Sequence, residues 1–316
     1  MKAIIRVDSS SSIGTGHIMR DLVLASQFDD VTFVTRDLSG NINFKIIEAG
    51  YSVEIVKDND LSEFVEVVEK LSPNLVILDN YNLDYDFERA FKEKYQDIKL
   101  MVLDDTYEKH YCDILLNHNI YAKSSDYISL VPLHCEVRCG AKYTLLRDEF
   151  FAIRDVKKTK KEYLRIFLGM GGADSQNMNI KVLDFLSSLN VSYRVDVVTT
   201  RSNKNLSTLL DYAQKQKNVR VYVDTNNLVK IVSNNDIAII TPSVMANEIL
   251  FLKIPIITVM VASNQRYMYD FLRKNGIPGL KKSELDKLEE LVKKFQNKEF
   301  FETQLSNIEN IIEFKK

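Results

Sequence analysis

The chain has 316 residues, of which 45% are hydrophobic and 27% are charged, and its formal net charge is −2. This length fits two domains, each with its own core, and the charge excludes the basic surface typical of nucleic-acid binding. No apolar stretch reaches the length of a membrane span. Only three apolar residues separate Lys2 from Arg6, which excludes a signal peptide. We therefore expect a cytoplasmic monomer with no nucleic-acid or membrane partner.

The sequence predicts no metal site and no cofactor. It contains three cysteines: Cys112, Cys135 and Cys139. They form no C-x-x-C pair, and an odd number does not build a disulfide framework. His134, beside the second cysteine, suggests zinc, but the segment reads as strand and turn and lacks a regular metal-ligand spacing. Asp104 and Asp105 could bind Mg²⁺, yet neighbouring residues of a strand point to opposite faces.

The first half of the chain alternates apolar strands with amphipathic helices. Helical patterns include Leu61–Leu71 and Tyr85–Tyr95. The predicted strands are Ala3–Val7, Val31–Thr35, Ser52–Val56, Leu75–Leu78, Leu100–Leu103 and Ile114–Leu116. Nearly continuous apolar strands separated by such helices are typical of a parallel sheet covered on both faces.

Residues 155–162 are charged and have no hydrophobic periodicity, so we interpret them as a linker between domains of residues 1–154 and 163–316. The second domain repeats the alternating pattern. Its predicted strands are Leu164–Leu168, Arg194–Val198, Val219–Val223, Ile237–Ile240 and Ile256–Val259. Its predicted helical stretches include Met178–Leu189, Val244–Leu252 and the Lys- and Glu-rich segment from Ser283 to Lys316. The predicted fold class is α/β, with two Rossmann-like doubly wound domains facing a cleft.

The most informative segment follows the first strand, where a polar loop containing Gly14 and Gly16 leads into His17 and a helix. Open α/β sheets bind ligands at the carboxyl ends of their strands, and glycines let the backbone approach a ligand closely. The positive end of the helix dipole favours a neutral, proton-accepting imidazole. His17 is therefore a candidate base. A glycine turn followed by a solvent-facing histidine is the alternative.

A second glycine-containing loop opens the second half. Gly171 and Gly172, followed by Asp174, lie between a strand and a helix. Backbone N–H groups and a helix N-terminus at such a junction can bind phosphate. The loop matches neither the Walker motif nor the G-x-G-x-x-G fingerprint, and a simple tight turn is the alternative.

Other polar loops also follow strands and would face the same cleft. Ser243 stands where a helix starts, and Glu248 on its first turns could accept both hydroxyls of a ribose; a surface glutamate is the alternative. Asn264 and Gln265 follow the next strand of the second half, and Tyr81 lies beyond a strand of the first half. By the strand-end rule these loops contribute to ligand binding.

Together these loops resemble the UDP-sugar hydrolases of pseudaminic acid biosynthesis, which act on UDP-2,4-diacetamido-2,4,6-trideoxy-β-L-altropyranose and have the two-domain glycosyltransferase-B fold. The resemblance runs from Met1 to about Gly276. The segments that carry it are Asp8–Asp21, Asp79–Tyr81, Cys112–Tyr127, Cys135–Phe150, Gly169–Asp174, Ser243–Glu248 and Asn264–Gln265.

The resemblance also assigns roles to individual residues. It implies that the catalytic histidine is His17. The implied substrate-binding tyrosine and asparagine are Tyr81 and Asn264, and the implied UDP-binding glycines and glutamate are Gly171, Gly172 and Glu248. We add neighbours in the same loops, with Gly14, Gly16 and Gln265 as substrate-binding and Asp174 and Ser243 as UDP-binding.

The reaction that the resemblance implies is hydrolysis of the sugar–phosphate bond. Water would attack C1 with inversion and release UDP and free 2,4-diacetamido-2,4,6-trideoxy-L-altrose. UDP leaves with charge stabilisation alone, whereas the water needs a base. A glycosyltransferase that takes a UDP-amino-sugar donor would use the same UDP site, and a non-catalytic nucleotide-sugar sensor would not need His17.

Overall fold

The computed structural model describes residues 1–153, 163–190 and 192–312. The chain divides into two compact units, Met1–Leu145 and Leu146–Lys316. The segment predicted to be a linker, residues 155–162, lies outside the described residues. Because the division follows Leu145, the short helix just before that segment belongs to the second unit. None of the described helices has the length and apolar character needed to cross a membrane.

The first unit contains a seven-stranded sheet whose neighbouring strands are all parallel, in the order β3-β2-β1-β4-β5-β6-β7. The strands are β1 Lys2–Val7, β2 Asp30–Arg36, β3 Ser52–Val56, β4 Leu75–Asp79, β5 Lys99–Leu103, β6 Ile114–Asn117 and β7 Glu136–Cys139. The helices are α1 Gly16–Ala25, α2 Asn43–Glu48, α3 Leu61–Leu71 and α4 Tyr85–Lys94.

Both faces of this sheet are covered, which explains why its strands are apolar nearly throughout. Successive residues of a strand point to opposite faces. Ile5 packs in a core with Phe33, whereas its neighbour Ile4 packs in a separate core with Phe91. All four side chains are fully buried.

The second unit contains a six-stranded parallel sheet in the order β10-β9-β8-β11-β12-β13. The strands are β8 Leu164–Gly169, β9 Tyr193–Thr199, β10 Val219–Val223, β11 Ile237–Ile240, β12 Ile256–Met260 and β13 Gly279–Lys281. The helices are α5 Asp148–Ile153, α6 Met178–Ser187, α7 Leu206–Lys215, α8 Leu228–Ser233, α9 Val244–Phe251, α10 Arg266–Lys274, α11 Leu288–Lys294 and α12 Lys298–Ile311.

The predicted strands are all present, with ends within one residue of those predicted. The predicted lists lack β7 and β13, edge strands of four and three residues that are too short to show a pattern. In each sheet the strand order reverses beside the unit's first strand, between β1 and β4 and between β8 and β11. Open sheets bind ligands in the crevice at such a point. Four of the predicted loops follow these four strands, and the loop of Asn264 and Gln265 follows the neighbouring β12.

Candidate active site

His17 lies in the first turn of α1, directly after the loop that follows β1. Positions three and four residues apart share a helix face. Three polar residues on one face of α1 are buried: His17, Arg20 and Asp21. Buried polar groups are costly unless they find partners, so the contacts of this face define the chemistry of the first unit.

The partner of His17 is Asp79, the last residue of β4. Nδ1 of His17 lies 2.7 Å from Oδ1 of Asp79. An ionised carboxylate only accepts hydrogen bonds, so Nδ1 carries the ring proton and Nε2 is the acceptor. Nε2 makes no hydrogen bond to any residue that the structure describes. A ring oriented in this way is suited to act as a general base.

Arg20 keeps Asp79 ionised. Its Nε and Nη2 donate to the two carboxylate oxygens at 2.7 and 2.5 Å. Nη2 also lies 3.0 Å from Nδ1 of His17, because both nitrogens donate to the same oxygen. Burial raises the pKa of Asp79, but Arg20 and then His17 outweigh burial and hold this pKa well below its usual range. The resulting negative charge lies directly beside the His17 ring.

Arg20 also connects His17 to Tyr81 through Asp105, which follows β5. Its Nη1 donates to one oxygen of Asp105 at 2.9 Å, and the Tyr81 hydroxyl donates to the other at 2.6 Å. The Tyr81 ring meets the His17 ring edge-on, with centroids 5.1 Å apart. Tyr81 is 48% exposed, so it is accessible to a ligand beside the base.

Asp8, the residue after β1, ties the ends of three strands together. It accepts hydrogen bonds from Arg6 of β1, from the side chain and backbone N–H of Arg36 in β2, and from Asn80 after β4. Burial raises the pKa of Asp8, but the cationic donors Arg6 and Arg36 lower it by more. This carboxylate fixes the loop that presents Tyr81.

Of the two predicted glycines, Gly14 lies in the loop between β1 and α1, and Gly16 is the first residue of α1. Gly14 has φ +92°, a conformation that glycine adopts without strain. Its N–H donates to the carbonyl oxygen of Ser10 at 2.9 Å. Open space lies where a Cβ of either glycine would be, so a ligand can approach the backbone of this loop.

Asp104 and Asp105, the candidate Mg²⁺ ligands, are both engaged in hydrogen bonds within the protein. Asp104 accepts from the Tyr127 hydroxyl at 2.5 Å and from two backbone N–H groups. Asp105 accepts from Arg20 and Tyr81. Across the described part of the chain, no group of three His, Cys, Asp or Glu side chains could hold a metal ion.

Sequence analysis missed a second histidine in this region. His118 follows β6 and is buried, and neither ring nitrogen has a hydrogen-bond partner among the described residues. Burial and the positive charge of Arg20 lower its pKa to about 3, so the ring is neutral. Its place at the carboxyl end of a strand was the signal that could have identified it.

In the second unit, the loop after β8 contains the predicted UDP-binding residues. Gly171 has φ +89°, and open space lies where its Cβ would be. The carbonyl of Gly172 accepts from the backbone N–H and hydroxyl of Thr200, which anchors the loop. Both oxygens of Asp174 accept backbone N–H groups at the start of α6, at 2.6 and 2.9 Å. Asp174 therefore caps α6 and occupies its amino end.

The amino end of α9 is free of such a side-chain cap. Ser243 precedes this helix, but its side chain makes no capping hydrogen bond; the hydroxyl lies 3.3 Å from that of Thr241. The first N–H groups of a helix have no partner within it. Of the two helices that follow the predicted UDP-binding loops, α9 is the one whose first N–H groups face no carboxylate cap.

Glu248 is buried on α9 rather than exposed, which removes the surface-glutamate alternative. Arg147, just before α5, donates Nε and Nη2 to its two oxygens at 2.7 and 2.9 Å. The guanidinium also lies 5.0 Å from the ring centre of the fully buried Phe150. Sequence analysis did not assign Arg147 a role, although it lies in one of the segments that carry the resemblance.

Asn264 and Gln265 form a short turn after β12. The Gln265 carbonyl oxygen accepts the backbone N–H groups of Val261 and Ala262 at 2.9 and 3.2 Å, so this side chain shapes the loop. Asn264 is exposed. Gln176, from the loop after β8, donates to the Val261 carbonyl at 2.8 Å and connects the two loops.

Comparison with known proteins relates this chain to one enzyme family. No family model matches it. The chain is 36% identical over 276 residues to the UDP-2,4-diacetamido-2,4,6-trideoxy-beta-L-altropyranose hydrolase of Campylobacter jejuni, covering 87% of this chain and 97% of that protein. The chain belongs to this hydrolase family. The resemblance noted from the sequence is thereby confirmed, and the chain is an enzyme of the UDP-sugar hydrolase class.

A more distant sequence relative and two solved structures are also similar to this chain, and the solved structures show its fold. The chain is 27% identical over 288 residues to the uncharacterized protein MJ1062 of Methanocaldococcus jannaschii, covering 87% of this chain and 59% of that protein. The structure of the present chain is similar to that of MurG from Acinetobacter baumannii. The TM-score is 0.64, the identity is 12%, and the match covers 98% of this chain and 95% of that one. It is also similar to the spinosyn rhamnosyltransferase SpnG, with a TM-score of 0.70, 12% identity, and coverage of 99% and 96%. The predicted glycosyltransferase-B fold is confirmed.

The buried ion pair of Arg20 and Asp79 yields a test of stability. Arg20→Met keeps most of the side-chain volume but leaves Asp79 without its cation, and breaking a buried pair in this way costs about 3–5 kcal/mol. We expect this loss in the free energy of unfolding, measured with urea. Arg89→Met, which removes an exposed pair with Glu93, should change little. An equal effect of the two substitutions would contradict this assignment.

Proposed function

We propose that the chain hydrolyses UDP-2,4-diacetamido-2,4,6-trideoxy-β-L-altropyranose to UDP and the free 2,4-diacetamido sugar. The observation that carries the proposal is the His17–Asp79 pair, which leaves Nε2 of His17 as a free proton acceptor. In a member of this hydrolase family, that atom is suited to activate water.

In the proposed reaction, Nε2 of His17 takes a proton from water while the water oxygen forms a bond to C1 of the sugar. The bond between C1 and the phosphate oxygen breaks, and its electron pair leaves with UDP. Asp79 stabilises the transient imidazolium. Because the water attacks from the side opposite UDP, the first product is the inverted anomer.

Features of the second unit support UDP binding there. The backbone at Gly171 is open to approach, and the uncapped amino end of α9 presents N–H groups to negative charge. These groups would stabilise the charge that develops on the departing diphosphate. We assign Asp174 the supporting role of capping α6 and shaping the loop.

Glu248 is the proposed ribose ligand. A carboxylate has about four acceptor positions and can accept a bidentate arginine while keeping others. The Arg147 fork uses one position on each oxygen and holds the side chain in one orientation. Glu248 would then accept the ribose hydroxyls with its remaining positions.

Two residues are proposed to contact the sugar. Tyr81 stands next to the base and is partly exposed, and Asn264 is an exposed amide on the loop that Gln265 shapes. Amide and hydroxyl groups of this kind are suited to hydrogen-bond the acetamido substituents of the substrate.

Replacing the base tests the mechanism directly. His17→Gln should lower UDP release from the substrate by about 10²–10⁴-fold, because the water loses its proton acceptor, while the affinity for UDP stays within about twofold. UDP release is followed with a coupled assay, and UDP affinity by calorimetry. His134→Gln, which changes an exposed histidine, is the matched control. A His17 variant that kept a third of wild-type turnover would exclude this residue as the base.

Labelled water separates hydrolase from transferase. In ¹⁸O-water the label should enter the C1 hydroxyl of the sugar and not UDP, and NMR should show the inverted anomer first. The rate should be the same without any added acceptor. It should also be unchanged in EDTA, because backbone N–H groups are proposed to stabilise the negative charge of the diphosphate. Label in UDP would show attack at phosphorus. A requirement for an added alcohol would favour a glycosyltransferase, and loss of activity in EDTA that Mg²⁺ restores would show a metal-dependent reaction.

Glu248→Ala should weaken UDP binding by about 10–100-fold, because acceptors for the ribose hydroxyls are lost at about 1–3 kcal/mol. Calorimetry measures the affinity. Arg147→Met should weaken it less, since that arginine is proposed only to hold Glu248. Glu309→Ala, in an exposed pair with Lys253, is the control. An unchanged affinity of the Glu248 variant for UDP would show that Glu248 does not contact the ribose.

A further inference from the structure

Asp21 is a buried carboxyl group for which the proposed mechanism has no use. It lies one helical turn after His17 on the same face of α1, and its side chain is inaccessible to solvent. Neither of its oxygens accepts a hydrogen bond from a residue that the structure describes. An isolated buried carboxylate is among the most costly groups in a protein, so its state needs an explanation.

The charged groups around Asp21 leave it without a counterion. The nearest cation, Arg20, is already committed, because two of its nitrogens donate to Asp79 and the third to Asp105. His118, from the loop after β6, is neutral. The group that faces Asp21 from β4 is Asp79, which is itself negatively charged.

An ionised Asp21 would place a second negative charge beside Asp79. The cluster of Arg20, Asp79 and Asp105 already has one positive and two negative charges. A third carboxylate would add negative charge beside the Asp79–His17 pair with no further cation to balance it. Burial and the repulsion of Asp79 both raise the pKa of Asp21 well above its usual range.

We propose that Asp21 is a neutral carboxylic acid that directs its proton toward Asp79 and is a positioning residue for the Asp79–His17 pair. A neutral Asp21 needs no counterion in the interior and can act as a hydrogen-bond donor. The positioning role rests on the proposed function of His17, but the protonation of Asp21 can be tested without measuring activity.

The first experiment compares the thermal stability of the wild type and Asp21→Asn between pH 4 and pH 8. An unfolded aspartate releases its proton near pH 3.9, whereas the native Asp21 keeps it. The free energy of unfolding of the wild type therefore falls as the pH rises through this range. The side chain of Asn does not titrate, so the variant lacks this contribution to the pH dependence. The melting temperature of the variant minus that of the wild type should rise by roughly 3 °C per pH unit.

Asp97→Asn is the control, because Asp97 is exposed on the surface. Its melting temperature should follow that of the wild type at every pH. A difference between Asp21→Asn and the wild type that does not change with pH would show that Asp21 is ionised in the native protein, and would overturn the proposal.

The second experiment measures kcat and KM for UDP release. Asp21→Leu removes the donor and should lower kcat by about tenfold or more through misplacement of the pair, with KM little changed. Asp21→Asn supplies a neutral N–H donor and should restore kcat to within about threefold of the wild type. An Asn variant as impaired as the Leu variant would show that a carboxylate is required. A wild type that releases no UDP would refute the proposed function, while the stability comparison would still decide the state of Asp21.

Discussion

The hydrogen-bonded pair of Arg20 and Asp79 is the constraint on which the first unit's site depends. Buried without a cation, Asp79 would take up a proton and could no longer hold the ring proton of His17 on Nδ1. Because the same guanidinium also binds Asp105, the position of Tyr81 is set by the same cation. One side chain therefore keeps Asp79 ionised, which fixes the tautomer of His17, and also sets the place of Tyr81.

The second unit uses a different principle, in which the local fold decides which groups are available to an anion. Two helices begin at the relevant strand ends, but Asp174 satisfies the first N–H groups of α6. A carboxylate at a helix N-terminus uses the same dipole that would attract a phosphate. This leaves α9 as the helix suited to negative charge, and its buried Glu248 is aligned by an arginine from outside the helix.

Much of the fold could be predicted from the sequence because strands buried on both faces are apolar throughout, as in Ile237–Ile240. The short edge strand β13 has no such run. His17 and Glu248 were found because they lie at strand ends, where the rule for open sheets applies. The partners that define their chemistry could not be found in this way. Asp79 is 62 residues from His17, and Arg147 is 101 residues from Glu248, and no local pattern links residues so far apart.

Asp8 carries a consequence for the dynamics of the first unit. Its carboxylate accepts from the ends of β1 and β2 and from the loop after β4, so none of these segments can move away without breaking bonds that hold the others. Loops that share one buried acceptor open together or not at all, which makes them a single cooperative unit in the sense of native-state exchange. The ends of β1 and β2 and the loop after β4 are therefore joined through one buried carboxylate before a ligand arrives.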